Sequence, residues 1–438
     1  MSISGISRRR FLEGTVAVGA AAATGGLFKP AIAQGTTEIV HWSWLQASDG
    51  EVWTRAIGAF NEAHKGKGVQ IRMELVPEEQ YRTKLLAASA SGSAPDFGWG
   101  TAGKDAALAK DGVTVPLDDL AKSAGLDLAD FSENSLKAAR YPKYGPELHM
   151  VPMDLMSLQP LLNLDHAKAA GLDPNAPPTD EASLIEWATK LTQRQGDTVT
   201  RSGILMTGTG LQPAVTWGIV AEQMGFRRAS DDLKTASVNP DAGKAAMQWV
   251  VDLFDKHKVS DRNVTDRYKA FGAGEGSIFW TGPWTLAGYK TQGLNFKPFL
   301  FPKIGKEQRT YFEMGGLQLY RQQDESRHAA TMEAVKWLSD NSFLWTTEGR
   351  GASPRASILG RPDYKTAGLS WDLRGPFVEG MSFASVGEVP VPGGPDFTIY
   401  TNTGFLARAL EGVWVGQKSI DDAMAEITQQ WQQDLDEA

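Results

Sequence analysis

Glu38-Ile-Val-His-Trp42, Val69-Gln-Ile-Arg-Met-Glu-Leu75 and Asp96-Phe-Gly-Trp-Gly100 are the three short apolar runs on which the reading of the fold turns. The first reads as a strand. A polar loop, 43–50, follows it and enters a helix with Val52, Ala56, Ile57, Phe60 and Ala63 on one face. Gly66 and Gly68 close that helix, and 69–75 alternates apolar and polar as a second strand. Residues 78–90 read as helix, Ser91-Gly-Ser-Ala-Pro95 as a loop, and 96–100 as a third strand. Strand, helix, strand, helix, strand in this order predicts an α/β lobe with parallel pairing.

Beyond Asn163 the pattern becomes helix-rich, with amphipathic stretches at 179–192, 241–257 and 327–339. A last helix opens on the capping box Ser419-Ile-Asp-Asp422 and carries Ile420, Ala423, Met424, Ile427, Trp431 and Leu435 at helical spacing. Val389-Pro-Val-Pro-Gly-Gly-Pro395 reads as a surface loop or crossover, and no internal repeat is present. At 438 residues the chain is long enough for two or three domains of ~150 residues each. Apolar residues at 42% and charged residues at 22% fit a globular protein with a sizeable core. The 44 basic against 52 acidic residues leave no basic footprint for nucleic acid or an anionic membrane surface. Cysteine is absent, which excludes disulfides, thiolate metal sites, a Cys nucleophile and an N-terminal lipidated Cys.

The first 33 residues read as an address. Ser7-Arg-Arg-Arg-Phe-Leu12 is a twin-arginine export signal, a weakly apolar run spans 14–28, and Ala31-Ile-Ala33 is a small-residue cleavage site. The run is too short and too rich in Ala and Gly to span ~30 Å of hydrocarbon. A soluble, periplasmic, non-lipidated product is expected, starting near Gln34.

Motifs of chemistry are sparse. Gly98-Trp-Gly100-Thr-Ala-Gly103-Lys104-Asp105 matches a dinucleotide fingerprint and nearly matches a phosphate loop. Its strand, however, is third in the unit, and Asp105 stands where Ser or Thr must hold magnesium. It reads as a glycine turn entering a helix. Six histidines show no i,i+4 pair, no G-x-S-x-G is present, and acidic pairs sit at helix starts where they complement the dipole. No catalytic constellation and no cofactor or metal site emerges. Tryptophan stands out instead. Trp53, Trp187, Trp249, Trp337 and Trp431 fall in helical patterns, whereas Trp44, Trp99, Trp217, Trp280, Trp284, Trp345 and Trp371 lie in loops or at element ends. An indole outside a helix core is either a packing plug or a platform on which the C–H face of a sugar rests.

The chain after the export signal resembles the extracellular solute-binding proteins of ABC importers, in the carbohydrate branch with the maltodextrin- and glycerol-3-phosphate-binding proteins. Ala59-Phe-Asn-Glu-Ala-His64, Gln80-Tyr-Arg-Thr-Lys-Leu-Leu86, Ser91-Gly-Ser-Ala-Pro-Asp96, Val151-Pro-Met-Asp154, Asn163-Leu-Asp165 and Ala170-Gly-Leu-Asp-Pro174 carry the resemblance. Further carriers are Phe271 to Gly276, Thr281-Gly-Pro-Trp284, Ala334-Val-Lys-Trp-Leu-Ser339 and Gly416-Gln-Lys-Ser-Ile-Asp-Asp-Ala-Met424. The resemblance implies a two-lobed α/β periplasmic-binding-protein fold with hinge strands and a ligand cleft between the lobes. One lobe would comprise 34–153 plus about 315–375, the other about 154–314 plus 376–438. It also implies no enzymatic activity, no cofactor, a monomer, and partnership with ABC permease and ATPase subunits of the inner membrane.

Carried over position by position, the ligand-binding candidates are Trp44, Gln46 and Ser48 after the first strand, and Trp99 and Gly100 in the next contact loop. Asp154 falls at the hinge, Gln212 and Trp217 in the second lobe, and Trp284 at the stacking aromatic. Gly315 and Gly316 offer backbone N–H groups, and Arg355 offers a fork for a hydroxyl or an anion. Met156 departs from the pattern, since relatives often carry a carboxylate there. The expected ligand is a sugar, oligosaccharide or polyol. Alternatives are an anionic sugar derivative (a sugar phosphate, glycerol phosphodiester or sulfonated sugar), motivated by Arg355, and a periplasmic glycoside hydrolase or lyase, which would need two carboxylates facing one cleft.

Overall fold

β1 (Thr37–Ser43) pairs in parallel with β2 (Val69–Leu75) in unbroken register, Thr37 opposite Val69 through Ser43 opposite Leu75. β3 (Phe97–Thr101) lies parallel to β1 on its other side. The connecting helices, Ala47–Ala63 and Glu78–Ala90, cover the sheet. The first of these buries Val52, Trp53, Ile57 and Phe60, so Val52, Ile57 and Phe60 of the stripe read from the sequence pack with Trp53 added, while Ala56 is half-buried and Ala63 is exposed at the helix end. This is a computed structural model, describing residues 36–102, 105–141, 145–348, 350–386 and 405–436. The export signal, Gly103-Lys104 of the glycine turn and the Pro-rich stretch 389–395 lie outside the described residues. Among those described, no helix is long and apolar enough to cross a membrane.

The remaining strands are β4 (Val151–Ser157), β5 (Gln159–Asn163), β6 (Gln193–Gln195), β7 (Thr198–Ile204), β8 (Arg227–Ala229), β9 (Ala236–Val238), β10 (Gly276–Thr281), β11 (Phe296–Pro298), β12 (Thr310–Leu319) and β13 (Ala384–Val386). One sheet runs β13-β12-β3-β1-β2 with β4 also on β12; a second runs β11-β5-β10-β7-β6; β8 and β9 form a separate pair. Each large sheet has its own core. Ile39, Phe97, Trp99, Met153, Leu317 and Trp345 belong to the first, and Leu162, Trp217, Met247, Ile278, Leu410 and Trp431 to the second. Two sheets with separate apolar interiors make a two-lobed α/β molecule. The final helix, Ile420–Asp436, buries Ala423, Met424, Ile427, Trp431 and Leu435 in the second core. Its capping residue Ser419 accepts the Asp422 N–H at 3.0 Å.

An ion pair between a buried carboxylate and a half-buried arginine ties the first lobe together. Asp96 is 2% exposed. It accepts the Val40 N–H at 2.7 Å and both Nε and Nη2 of Arg327, each at 2.7 Å. The bidentate fork ties the helix Arg327–Asp340 to the sheet, and Arg327 also donates to the Glu38 carbonyl. The chain passes between the lobes where β4 runs into β5: Leu155 packs in the first core and Leu158 in the second. It returns along β12, with Tyr311 in the second core and Phe312 in the first. A third passage lies near Phe377, whose carbonyl accepts Ser157 Oγ at 2.9 Å.

Candidate functional site

A cavity of about 660 Å³ opens where residues of the two lobes face one another. The first lobe contributes Trp44, Ser48, Asp49, Glu313 and Arg350; the second contributes Tyr268, Lys269, Trp284, Thr285, Tyr289 and Gln292. The volume and the mixture of aromatic and polar walls are those of a small-molecule site.

Each wall has a local cause. After β1 the chain turns through Ala47 at φ 50°, which starts the first helix there and places Ser48 and Asp49 in its opening turn. A carboxylate is favoured beside the positive helix end. On the opposite wall, Pro283 sets the first position of the short turn Pro283–Thr285, and Trp284 packs its half-buried ring against the edge of the second core. Gly282 is required by space: a Cβ there would stand 1.8 Å from the six-membered ring of Trp284. The indole lies directly over that glycine.

Arg350 enters from the loop after the helix Phe343–Thr347. Gly351 beside it holds φ at 91°, and a Cβ would meet the Leu155 carbonyl oxygen at 2.4 Å; glycine is the residue that tolerates both. Ala352 and Leu155 exchange backbone hydrogen bonds of 2.8 and 2.9 Å, pinning this loop to β4. Arg350 is 4% exposed. Its Nη1 donates to Asp49 at 2.9 Å and its Nε to Asp154 at 3.4 Å. Its guanidinium carbon stands 5.2 Å from the Trp345 ring centre and 5.9 Å from that of Trp99. Burial works against the Arg350 charge, but Asp49, Asp154 and Glu313 together hold its pKa above the ordinary arginine value. Burial raises the carboxyl pKa of Asp49 and of Asp154, with Arg350 opposing the rise in both.

Of the twelve residues singled out from the sequence, Trp44, Ser48 and Trp284 line this cavity. Gln46 is exposed at the end of the loop preceding the helix. Trp99 is 0% exposed and packs edge-on against Trp53 and Trp345, forming a wall behind Arg350. Asp154 is likewise fully buried. It accepts the Gly315 N–H at 3.0 Å and the Trp345 indole N–H at 2.8 Å, so it supports Arg350 from behind and occupies the N–H that Gly315 was expected to offer a ligand. Gly316 and Gly100 lie within strands, where a Cβ would strike Met150 at 2.5 Å and Gln318 at 2.4 Å respectively; close packing of strands accounts for both. The Gln212 amide accepts the Thr207 N–H at 3.1 Å and donates to the Leu205 carbonyl at 2.9 Å, and the residue edges a void of about 20 Å³ beside Trp284. Trp217 is 0% exposed within the second core, its Nε1 donating to the Gly243 carbonyl at 2.9 Å.

Arg355 is placed away from the cavity. It is bound to Asp130 at 2.7 Å, to Asp340 at 2.5 Å and to Ser339 at 3.2 Å. The fork expected for a ligand is filled by the protein's own carboxylates. Asp49, Glu313, Arg350, Tyr268 and Tyr289 line the cavity without having been singled out from the sequence. Asp49 could have been reached from Ser48 in the same loop. Met156, where a carboxylate was expected, is 1% exposed and sits directly opposite Glu313 in the β4–β12 register; the acid is supplied by the neighbouring strand.

No curated protein matches the chain by sequence. Solved structures do match by shape. UgpB from Mycobacterium tuberculosis in complex with glycerophosphocholine superposes with a TM-score of 0.78 at 17% identity, over 92% of this chain and 99% of that one. A solute-binding protein of an ABC transporter from Thermotoga lettingae, bound to α-D-tagatose, gives 0.75 at 18% identity, over 91% and 99%. The GacH receptor of Streptomyces glaucescens, solved unliganded and with acarbose, gives 0.75 at 20% identity, over 91% and 98%. At these identities the likeness establishes the two-lobed fold. The family model described as bacterial extracellular solute-binding protein matches residues 55–344. With that match covering more than half of the chain, the chain belongs to the bacterial extracellular solute-binding protein family.

Proposed function

We propose that this chain is the periplasmic substrate-binding component of an ABC importer, capturing a sugar, oligosaccharide or polyol between its lobes and delivering it to the permease. The observation that carries the reading is the pair Trp44 and Trp284, one from each lobe, lining a single cavity among polar groups. Two indole faces with carboxylate, hydroxyl, amide and guanidinium groups between them suit a ring that is apolar on its faces and hydroxylated on its rim. The saccharides named with the Thermotoga and Streptomyces structures support the same ligand class. The ligand-contacting set is Trp44, Ser48, Asp49, Tyr268, Trp284, Glu313 and Arg350. Trp99 and Asp154 act through Arg350.

The reading has corollaries. The protein binds and releases its ligand unchanged, as a monomer, and carries no cofactor. Export uses the twin-arginine segment 7–12 with cleavage after Ala33. One lobe extends to about residue 157 and resumes at 312, and the other holds 158–311 and the C-terminal helices. Binding favours the closed arrangement by its higher affinity for that state. Titration calorimetry of the chain from Gln34 onward, against glucose, maltose, trehalose, mannitol and glycerol, tests the proposal. Saturable binding of at least one is expected; the absence of any heat across the panel and its longer oligosaccharides overturns it.

A further inference from the structure

Arg350 has three N–H-bearing nitrogens, and the protein uses two of them. Nη1 serves Asp49 and Nε serves Asp154. Nη2 is buried and has no hydrogen-bond partner among the described residues. A buried donor without a partner is costly, and most are met in the functional state. The residue that carries it lines the cavity. Its position is over-determined by Gly351, by the Leu155–Ala352 bridge and by the two carboxylates, so the donor is held in place before any ligand arrives.

The charge around that donor limits what it can receive. The guanidinium's single positive charge is already shared by Asp49 and Asp154. Glu313 and Glu78 also line the cavity, and among the described residues the other cation lining it is Lys269, which is exposed. An entering phosphate or sulfonate would share the cavity with the carboxylates of Asp49, Glu78 and Glu313 against Lys269 as the cation besides Arg350, and like charges at short range repel. A hydroxyl, ring or glycosidic oxygen carries no such penalty. The anion-binding fork once expected of Arg355 is closed by Asp130 and Asp340.

We propose that Arg350 Nη2 is the donor that selects an uncharged ligand oxygen, and that its two carboxylate partners make the site reject anionic sugar derivatives. The inference rests on the sugar reading above and narrows it to neutral ligands. Calorimetry on the wild-type chain would compare neutral sugars with glucose 6-phosphate, sn-glycerol 3-phosphate and glycerophosphocholine. A neutral binder is expected, with its phosphorylated counterpart at least tenfold weaker. Arg350→Lys keeps a positive charge and removes the Nη2 donor; affinity for the neutral sugar should fall tenfold or more while the far-ultraviolet circular dichroism stays native. Asp49→Asn removes one neutralising carboxylate, and the ratio of anionic to neutral affinity should rise at least threefold.

An anionic derivative binding more tightly than its neutral parent overturns the proposal, and so does undiminished sugar binding by Arg350→Lys. Should Arg350→Lys not fold, the wild-type preference and the Asp49→Asn ratio decide alone: an unchanged ratio overturns it. Failure of every neutral and anionic probe to bind removes the sugar reading itself, which is a different result from binding with the wrong charge preference.

Discussion

An indole serves a ligand only if a face of it is left free, and on that criterion Trp217 and Trp284 part company. Trp217 is 0% exposed and tied by its N–H to the Gly243 carbonyl. Trp284 lines the cavity and leans over Gly282. Trp284→Ala should therefore weaken ligand binding by about 2 kcal/mol or more, roughly thirtyfold, with little change in the melting temperature of the free protein. Trp217→Ala should instead cost about 3–5 kcal/mol of stability by leaving a cavity in the second core. Gly282→Ala extends the same argument without substituting any ligand-contacting residue: the added methyl must push the Trp284 ring aside, and affinity should fall with it. Calorimetry and thermal melts on the three variants check the pattern. Full affinity in Trp284→Ala would show that the ring is packing only.

Within the first lobe, β1, β3 and the helix Ala47–Ala63 meet at His41. The ring is fully buried. Its Nε2 accepts the Trp53 indole N–H at 2.8 Å, which leaves the proton on Nδ1, 3.4 Å from the Phe97 carbonyl oxygen. Burial lowers the His41 pKa from 6.5 to about 3, and the Phe97 contact offsets only part of that. Between those values the unfolded chain binds the proton and the folded chain does not. The contribution is thus complete above pH 6.5 and is lost as pH falls, at about 1.4 kcal/mol per pH unit. Urea unfolding at pH 7, 6, 5 and 4 should show a shallower pH slope for His41→Gln by about that amount; parallel curves would refute it. The same elements show why the sequence was legible here. β1, β2 and their helix each present one face to a core, so apolar spacing names the element. β12 is buried at all ten positions, and a strand buried on both faces has no alternation to read; only Gly315-Gly316 marked it. The site divides the same way. Trp44 and Trp284 stand out by residue type and flanking turns, but Arg350 and Arg355 lie five residues apart, and which carboxylates each meets is settled by tertiary packing.

At the scale of the whole molecule, the three passages between lobes are stitched by buried polar groups. Ser157 Oγ donates to the Phe377 carbonyl at 2.9 Å, Gln159 Nε2 donates to Ser157 Oγ at 2.9 Å, and Gln159 Oε1 accepts the Phe301 N–H at 2.7 Å. Thr310 Oγ1 donates to the Leu158 carbonyl at 2.6 Å. Gly380, after the third passage, comes so close that a Cβ would stand 1.8 Å from Gln159 Nε2 and 2.8 Å from Ser157 Oγ. Gln159 is 0% exposed and bonded through both ends of its amide, so it has nowhere to retreat without breaking the stitch. Gly380→Ala should therefore shift the balance between open and closed lobes while leaving every cavity-lining side chain intact. When the binding-competent state is only a fraction of the population, apparent affinity falls by that fraction. Sugar affinity should drop severalfold, and small-angle scattering should show the variant contracting less than the wild type at the same ligand concentration. Equal affinity and equal contraction would mean that this polar stitch does not set the hinge, and that closure is governed by the contacts lining the cleft.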